Sequence, residues 1–169
     1  YLANGMYKRM RAAAYYGRDY IIFNEARTDN AYSMGKSNRF VTLTEMRVND
    51  GDAYPADTWL QIYRVILNAN HIINAQNVTG DADGIKDYQG QALVTRAVGH
   101  FDLMKLFGQQ HVEGQGGKNA ITIPYSIKAA VNSTDAMQLS NVRITLDELR
   151  TKIYQDLDAG IALISNSSN

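Results

Sequence analysis

The sequence predicts a mainly all-α fold in a single domain, and three observations carry that expectation. Apolar residues recur every three or four positions over residues 59–73, 93–104 and 146–164, the spacing of a helix face. Helix-start and turn signals separate these stretches, and the one clearly extended run, residues 121–125, is short. With 169 residues, 45% hydrophobic, 20% charged and two prolines, the chain lies in the globular range. A chain of this size buries roughly two-thirds of its unfolded surface.

The first helix is expected over residues 1–16, with Leu2, Met6, Met10 and Ala13 on its apolar face and Gly17 as its C-terminal cap. Tyr20-Ile21-Ile22-Phe23 either extends it or forms a brief strand, a choice periodicity leaves open. Residues 24–57, rich in Asn, Asp, Ser and Gly, read as a long surface loop with at most short helical pieces. A second long helix starts near Pro55 to Asp57 and runs to about Asn77, with Trp59, Ile62, Tyr63, Ile66, Ala69 or Asn70, and Ile73 on one face. The turn at residues 79–84 leads into a helix over residues 85–107 whose stripe is Leu93, Ala97, Phe101 and Met104. These two form an antiparallel hairpin of the kind that stacks in tetratricopeptide-like arrays. A Gly-rich tip at residues 114–117 precedes the extended run, which Pro124 confines to a sheet edge or an arm. The capping box Thr145-Leu146-Asp147-Glu148 opens the last helix, striped by Leu146, Leu149, Ile153, Leu157, Ile161 and Ile164, and residues 165–169 are expected to fray.

Composition removes several functions. Seventeen basic and seventeen acidic residues give a net charge of zero, so no positive field favours a nucleic-acid partner. The basic run Lys8, Arg9, Arg11 and Arg18 reads as a solvated helix face. Without cysteine there is no disulfide, thiolate metal site or cysteine nucleophile. No stretch of about 18 apolar residues is present to span a bilayer. The glycine loop ending at Lys118 lacks the Gly and Ser/Thr of a phosphate loop, having Val112 and Asn119 there. Asp81-Ala82-Asp83-Gly84 overlays part of a calcium loop, but Thr79 and Gly90 stand where its anchors belong, so a helix cap is the better reading. His71, His100 and His111 have no metal-ligand spacing, and His100 is read as a hydrogen-bonded packing residue. No catalytic residue, metal or cofactor is therefore expected.

Residues 90–108, GQALVTRAVGHFDLMKLFG, carry more than burial demands: Arg96, the run Phe101-Asp102-Leu103 and the close Leu106-Phe107-Gly108. This stretch resembles the SusD/RagB family of glycan-binding outer-membrane lipoproteins, whose corresponding helix reads G-E-A-x-x-L-R-A-x-x-Y-F-D-L-x-x-x-F/Y-G. Gly90, Ala92, Arg96, Ala97, Phe101, Asp102, Leu103, Phe107 and Gly108 fit, while Gln91, Thr95 and His100 depart from it. Residues 59–63 (WLQIY) with 68–73 (NANHII), and 145–149 (TLDEL) with 156–159 (DLDA), resemble the same family in the same order. Trp59, Tyr63, Asn70, Arg96, Phe101, Asp102 and Gly108 are accordingly taken as its structural signature.

The resemblance implies that residues 1–169 are a single SusD-like N-terminal domain, with the family's C-terminal half and its lipid-anchored cysteine outside this chain. It implies a non-catalytic protein, held on the outer-membrane surface by that anchor, that captures an oligosaccharide and closes over a SusC-like TonB-dependent transporter. The alternative is a helical-repeat module that docks to the transporter without binding sugar itself. Eleven tyrosines offer flat faces and hydroxyls to a sugar, yet they also suit helix packing. Loop placement, rather than any family motif, singles out Asn24, Arg27, Asp29, Asn30, Tyr32 and Tyr54 as glycan-contacting residues.

Overall fold

The computed structural model describes residues 1–109, 111, 113–139 and 141–164. Among these, seven α-helices and one two-stranded sheet run in the order α1 (Leu2–Met10), α2 (Asp19–Ala26), α3 (Val41–Thr44), α4 (Ala53–Ile73), α5 (Ala82–Phe107), β1 (Ile121–Pro124), α6 (Ser133–Met137), β2 (Arg143–Thr145) and α7 (Leu146–Leu163), with a single 3₁₀ turn at Gly117–Asn119. The fold is mainly helical, as the stripes predict. The expected fraying at residues 165–169 falls outside the described residues. By internal contacts the chain divides into two compact units, Tyr7–Tyr63 and the remainder.

In the unit Tyr7–Tyr63 three sequence expectations change. Helix α1 stops at Met10, not Tyr16; wide turns follow, with Tyr16 N–H donating to Met10 O at 3.2 Å and Asp19 N–H to Ala13 O at 2.9 Å. The reason is aromatic packing: Tyr15, fully buried, stacks on Tyr16 at 4.2 Å, and Tyr20 meets both edge-on. A straight helix would stack residues 16 and 20 on one face but turn residue 15 away from them. Tyr20 to Phe23 lie in α2, a helix and not a strand, and Asn24 is inside that helix. Helix α4 begins at Ala53, so Tyr54 stands in its first turn and not in the loop. Its buried residues keep Ile62, Ile66, Ala69 and Asn70 of the expected face but turn it toward Thr58, Gln61 and Val65, and Trp59, Tyr63 and Ile73 are only half-buried. Gln61 explains part of the turn, since its side chain donates to Arg9 O at 2.8 Å.

The other unit is built on α5. Asp81 caps it, accepting from Gly84 N–H at 3.0 Å, the helix-cap role expected of this aspartate. Ten of its residues are buried, on all but the side of Phe101 and Lys105, because Gly90, Ala92, Ala97 and Gly99 let neighbours approach. Helix α7 lies antiparallel to it: a Cβ on Gly90 would sit 2.8 Å from Gly160 O, and a Cβ on Gly160 would sit 2.8 Å from Val94 Cγ2. The capping box is formed, with Glu148 N–H donating to Thr145 Oγ1 at 3.2 Å and Thr145 N–H to Glu148 Oε2 at 3.0 Å. Two expected core positions are exposed, Phe101 at 44% and Ile161 at 68%, and Asp156 and Gly160 occupy the buried face of α7 instead. Strands β1 and β2 pair antiparallel, and Pro124 sits at the end of its strand opposite Arg143, where its missing N–H costs little.

Candidate functional site

The residues chosen from loop placement lie in or beside the turn after α2. Asn24, Arg27, Asp29, Asn30 and Tyr32 are all exposed, Tyr32 at 75%. Asn24 spends its amide within the helix, donating to Tyr20 O at 3.0 Å. Arg27 follows the last turn of α2, and Thr28 then folds the backbone by accepting from Asn30 N–H at 3.3 Å. Tyr54 is set apart from these. Half-buried, it stacks on Phe40 at 4.4 Å with the rings 26° apart.

Phe40 and Arg18 are site residues that sequence reasoning missed. Phe40 precedes α3 in the left-handed region at φ 56°, a conformation that costs a bulky residue about 1–3 kcal/mol and is held by its surroundings. Phe23 meets it edge-on at 6.4 Å, and the Arg18 guanidinium carbon lies 5.6 Å from the Phe40 ring centre and 5.7 Å from that of Tyr54. Arg18 is therefore not a member of a solvated face; its Nε donates to buried Asp19 Oδ1 at 2.6 Å, and that hydrogen bond raises its basicity. Ser33 closes the segment before Phe40, donating Oγ–H to Arg39 O at 2.7 Å and N–H to Thr44 Oγ1 at 3.1 Å. Neither periodicity nor a turn motif marks Phe40; only the three-dimensional stack does.

The signature residues do something different. The Arg96 guanidinium is buried and makes a two-pronged contact with Asp156, Nε to Oδ2 and Nη2 to Oδ1, both at 2.6 Å. Its Nη1 donates to Asn70 Oδ1 at 2.9 Å, and Asn70 in turn donates to Ser126 O and Lys128 O. Burial alone would lower the basicity of Arg96, but the paired Asp156 carboxylate outweighs it and raises it. Tyr125 donates its hydroxyl to Asp156 Oδ2, and burial followed by that bond holds the phenol protonated. His100, fully buried, stacks on Tyr125 at 3.9 Å; its Nε2 accepts from Ser126 N–H at 2.9 Å, so the proton is on Nδ1, facing Arg96 O at 2.9 Å. Burial lowers its pKa to about 3, so the ring is neutral. This cluster pins residues 125–128 to α4, α5 and α7, and its charged groups are consumed internally.

The remaining signature positions are structural in geometry. Asp102 is buried with Lys105 Nζ at 2.9 Å, while exposed Phe101 carries Lys105 Nζ 4.5 Å from its ring centre. Trp59 and Tyr63 meet at 4.9 Å. Gly108 must lack a side chain, because a Cβ there would overlap Thr122 Oγ1. Between α5 and α7 lies an apolar groove of about 550 Å³, walled by Ala97, Met104, Leu149 and Leu157 and edged by Lys118 and Arg150. Among the described residues no three His, Asp or Glu side chains are grouped to hold a metal, and no helix is long and apolar enough to cross a membrane.

The molecule is thus a mainly helical scaffold with the Arg96–Asp156 ion pair buried in one unit and an exposed polar turn in the other. Over residues 2–169 the chain matches the SusD-like family model described as "Starch-binding associating with outer membrane", and it belongs to that family. Its fold is similar to that of a candidate sugar-binding protein from Bacteroides vulgatus (TM-score 0.81, 22% identity), covering 99% of this chain and 37% of that one. SusD superfamily proteins from Bacteroides thetaiotaomicron and Bacteroides vulgatus share the fold to the same extent, each with TM-score 0.80, 20% identity and the same coverage. The chain therefore spans 37% of the length of these solved relatives. None of the curated proteins matches it.

Proposed function

We propose that this chain is part of a non-catalytic glycan-binding component of a SusC/SusD-type outer-membrane uptake system, acting as a surface lipoprotein that hands oligosaccharide to a TonB-dependent transporter. The observation that carries the reading is the exposed turn of the unit Tyr7–Tyr63, where Asn24, Arg27, Asp29, Asn30 and Tyr32 offer amide, charged and aromatic groups, in a member of a family described as starch-binding. Tyr54, backed by Phe40, adds a rigid flat face of the kind that takes a sugar's C–H surface. Recognition is weak per contact, because each sugar hydroxyl leaves water for an equivalent partner. No bond is broken, and incubation with glycans should release no reducing ends.

Electrophoresis of the chain through gels containing soluble polysaccharides tests the reading. Retardation by at least one glycan, relieved in a Tyr32→Ala/Tyr54→Ala variant, supports it; free migration through every gel rejects it. The apolar α5–α7 groove favours a second reading, a face that docks to the transporter while sugar contacts lie elsewhere. That reading gains if a groove variant, Phe101→Glu/Tyr154→Glu, keeps its glycan retention but no longer co-purifies with the transporter.

A further inference from the structure

Within the unit Tyr7–Tyr63, the charges of one surface do not balance. Between residues 27 and 44 stand three basic side chains, Arg27, Lys36 and Arg39, against one acid, Asp29, although the whole chain has a net charge of zero. All four are exposed, and the ion pairs of this unit, Arg18–Asp19 and Arg47–Glu45, use none of them. Two of the cations, Lys36 and Arg39, share one closed loop. Ser33 fastens its hydroxyl to Arg39 O at 2.7 Å, closing residues 33–39 into a loop with Lys36 at its middle. Three left-handed residues, Gly35, Asn38 and Phe40, hold its shape. Phe40 plants the end of that loop against Phe23 of α2, and Arg27 follows the last turn of that helix. Arg18 lies against the Phe40 and Tyr54 rings at the floor. The segment therefore joins an aromatic stack to an excess of cations; the acids in and beside it are Glu25 and Asp29, both exposed, Asp19, which Arg18 occupies, and Glu45, which Arg47 occupies.

We infer that this loop selects acidic glycans: the Phe40–Tyr54 stack seats a sugar ring while Lys36, Arg39 and Arg27 contact carboxylate or sulfate groups on it. The inference rests on the glycan-binding reading above and narrows its substrate class. Guanidinium and ammonium groups form charge-assisted hydrogen bonds to such oxygens, stronger than those available from neutral hydroxyls. Binding of this kind falls as salt screens it.

The test sets polygalacturonate (carboxylate) and chondroitin sulfate (carboxylate and sulfate) beside neutral pullulan and dextran in affinity gels, with wild type, Lys36→Gln/Arg39→Gln and the charge-matched control Lys8→Gln/Arg11→Gln on exposed residues of and beside α1. Thermal unfolding first establishes that all three are folded alike. The expected result is retention by one or both acidic polymers, weakened about tenfold in the loop variant and at raised salt, and unchanged in the control. Which polymer is held distinguishes carboxylate from sulfate recognition. Retention by neutral glycans alone overturns the inference and leaves the glycan-binding reading standing; equal losses in both variants overturn it as unspecific charge attraction; and free migration through all four gels overturns both readings.

Discussion

At the scale of single residues, the arginine that burial cannot justify is explained by what it ties together. Arg96 joins Asn70 of α4 to Asp156 of α7, and Asp156 also receives Tyr125. Taking one partner from such a pair leaves the other charge buried without compensation, so Asp156→Ala should cost about 3–5 kcal/mol in urea unfolding, whereas Arg96→Met/Asp156→Leu should recover most of it. Equal losses in the single and double variants would show that the pair itself, rather than the orphaned charge, sets the cost. His100 makes a prediction of opposite chemistry. Its folded pKa, lowered to about 3 by burial, lies below the ordinary 6.5 of the unfolded chain, so the unfolded state binds the extra proton between these values. The stability contributed by neutral His100 is fully present above pH 6.5 and is lost as pH falls toward 3, at up to ~1.4 kcal/mol per unit. His100→Gln, which cannot titrate, should be less stable at pH 7, and the gap should narrow between pH 6.5 and 4; parallel curves would refute the assignment.

At the scale of elements, the closeness of α5 and α7 depends on two glycines. Gly160→Ala gains about 1 kcal/mol of helix propensity but drives a Cβ to within 2.8 Å of Val94 Cγ2 and 2.9 Å of Gly90 O. Overpacking of this kind costs about 1–3 kcal/mol, so the melting temperature should fall. Gly5→Ala in α1, where nothing lies within 4 Å, should raise it; a rise in both would mean that the helices can part freely. The same contrast explains what the sequence could and could not disclose. The α7 capping box and the Asp81 cap depend on residues three apart and were legible. The end of α1 was not, because Tyr15, Tyr16 and Tyr20 break the helix by packing on one another, and nothing local records that. Apolar spacing marks Ile62, Ile66 and Ala69 of α4 and Leu149 of α7 as inward, but not Gln61 and Asp156, polar in any hydropathy pattern, which partners distant in sequence bury. The candidate glycan surface was legible as an exposed segment, but its floor was not: Phe40 and Arg18 meet Tyr54 only after folding.

At the scale of the whole molecule, charge and exposed apolar surface act together on its behaviour in solution. The net charge is zero and the sequence pI is about 7.0, so no long-range repulsion separates copies at neutral pH. The α5–α7 groove is flanked by exposed Phe101 and Tyr154, an apolar surface of the sort that associates when repulsion is absent. Light scattering from the chain at low salt should therefore peak near pH 7 and fall toward pH 5 and pH 9, where net charge of either sign returns. Phe101→Glu should lower the peak, since it removes an exposed ring and adds charge. Helix α5 should tolerate it, because a glutamate four residues before Lys105 exchanges the present ring–ammonium contact for an ion pair of favourable orientation. Scattering that stays level across this range, or that the substitution leaves unchanged, would mean that the groove plays no part in association.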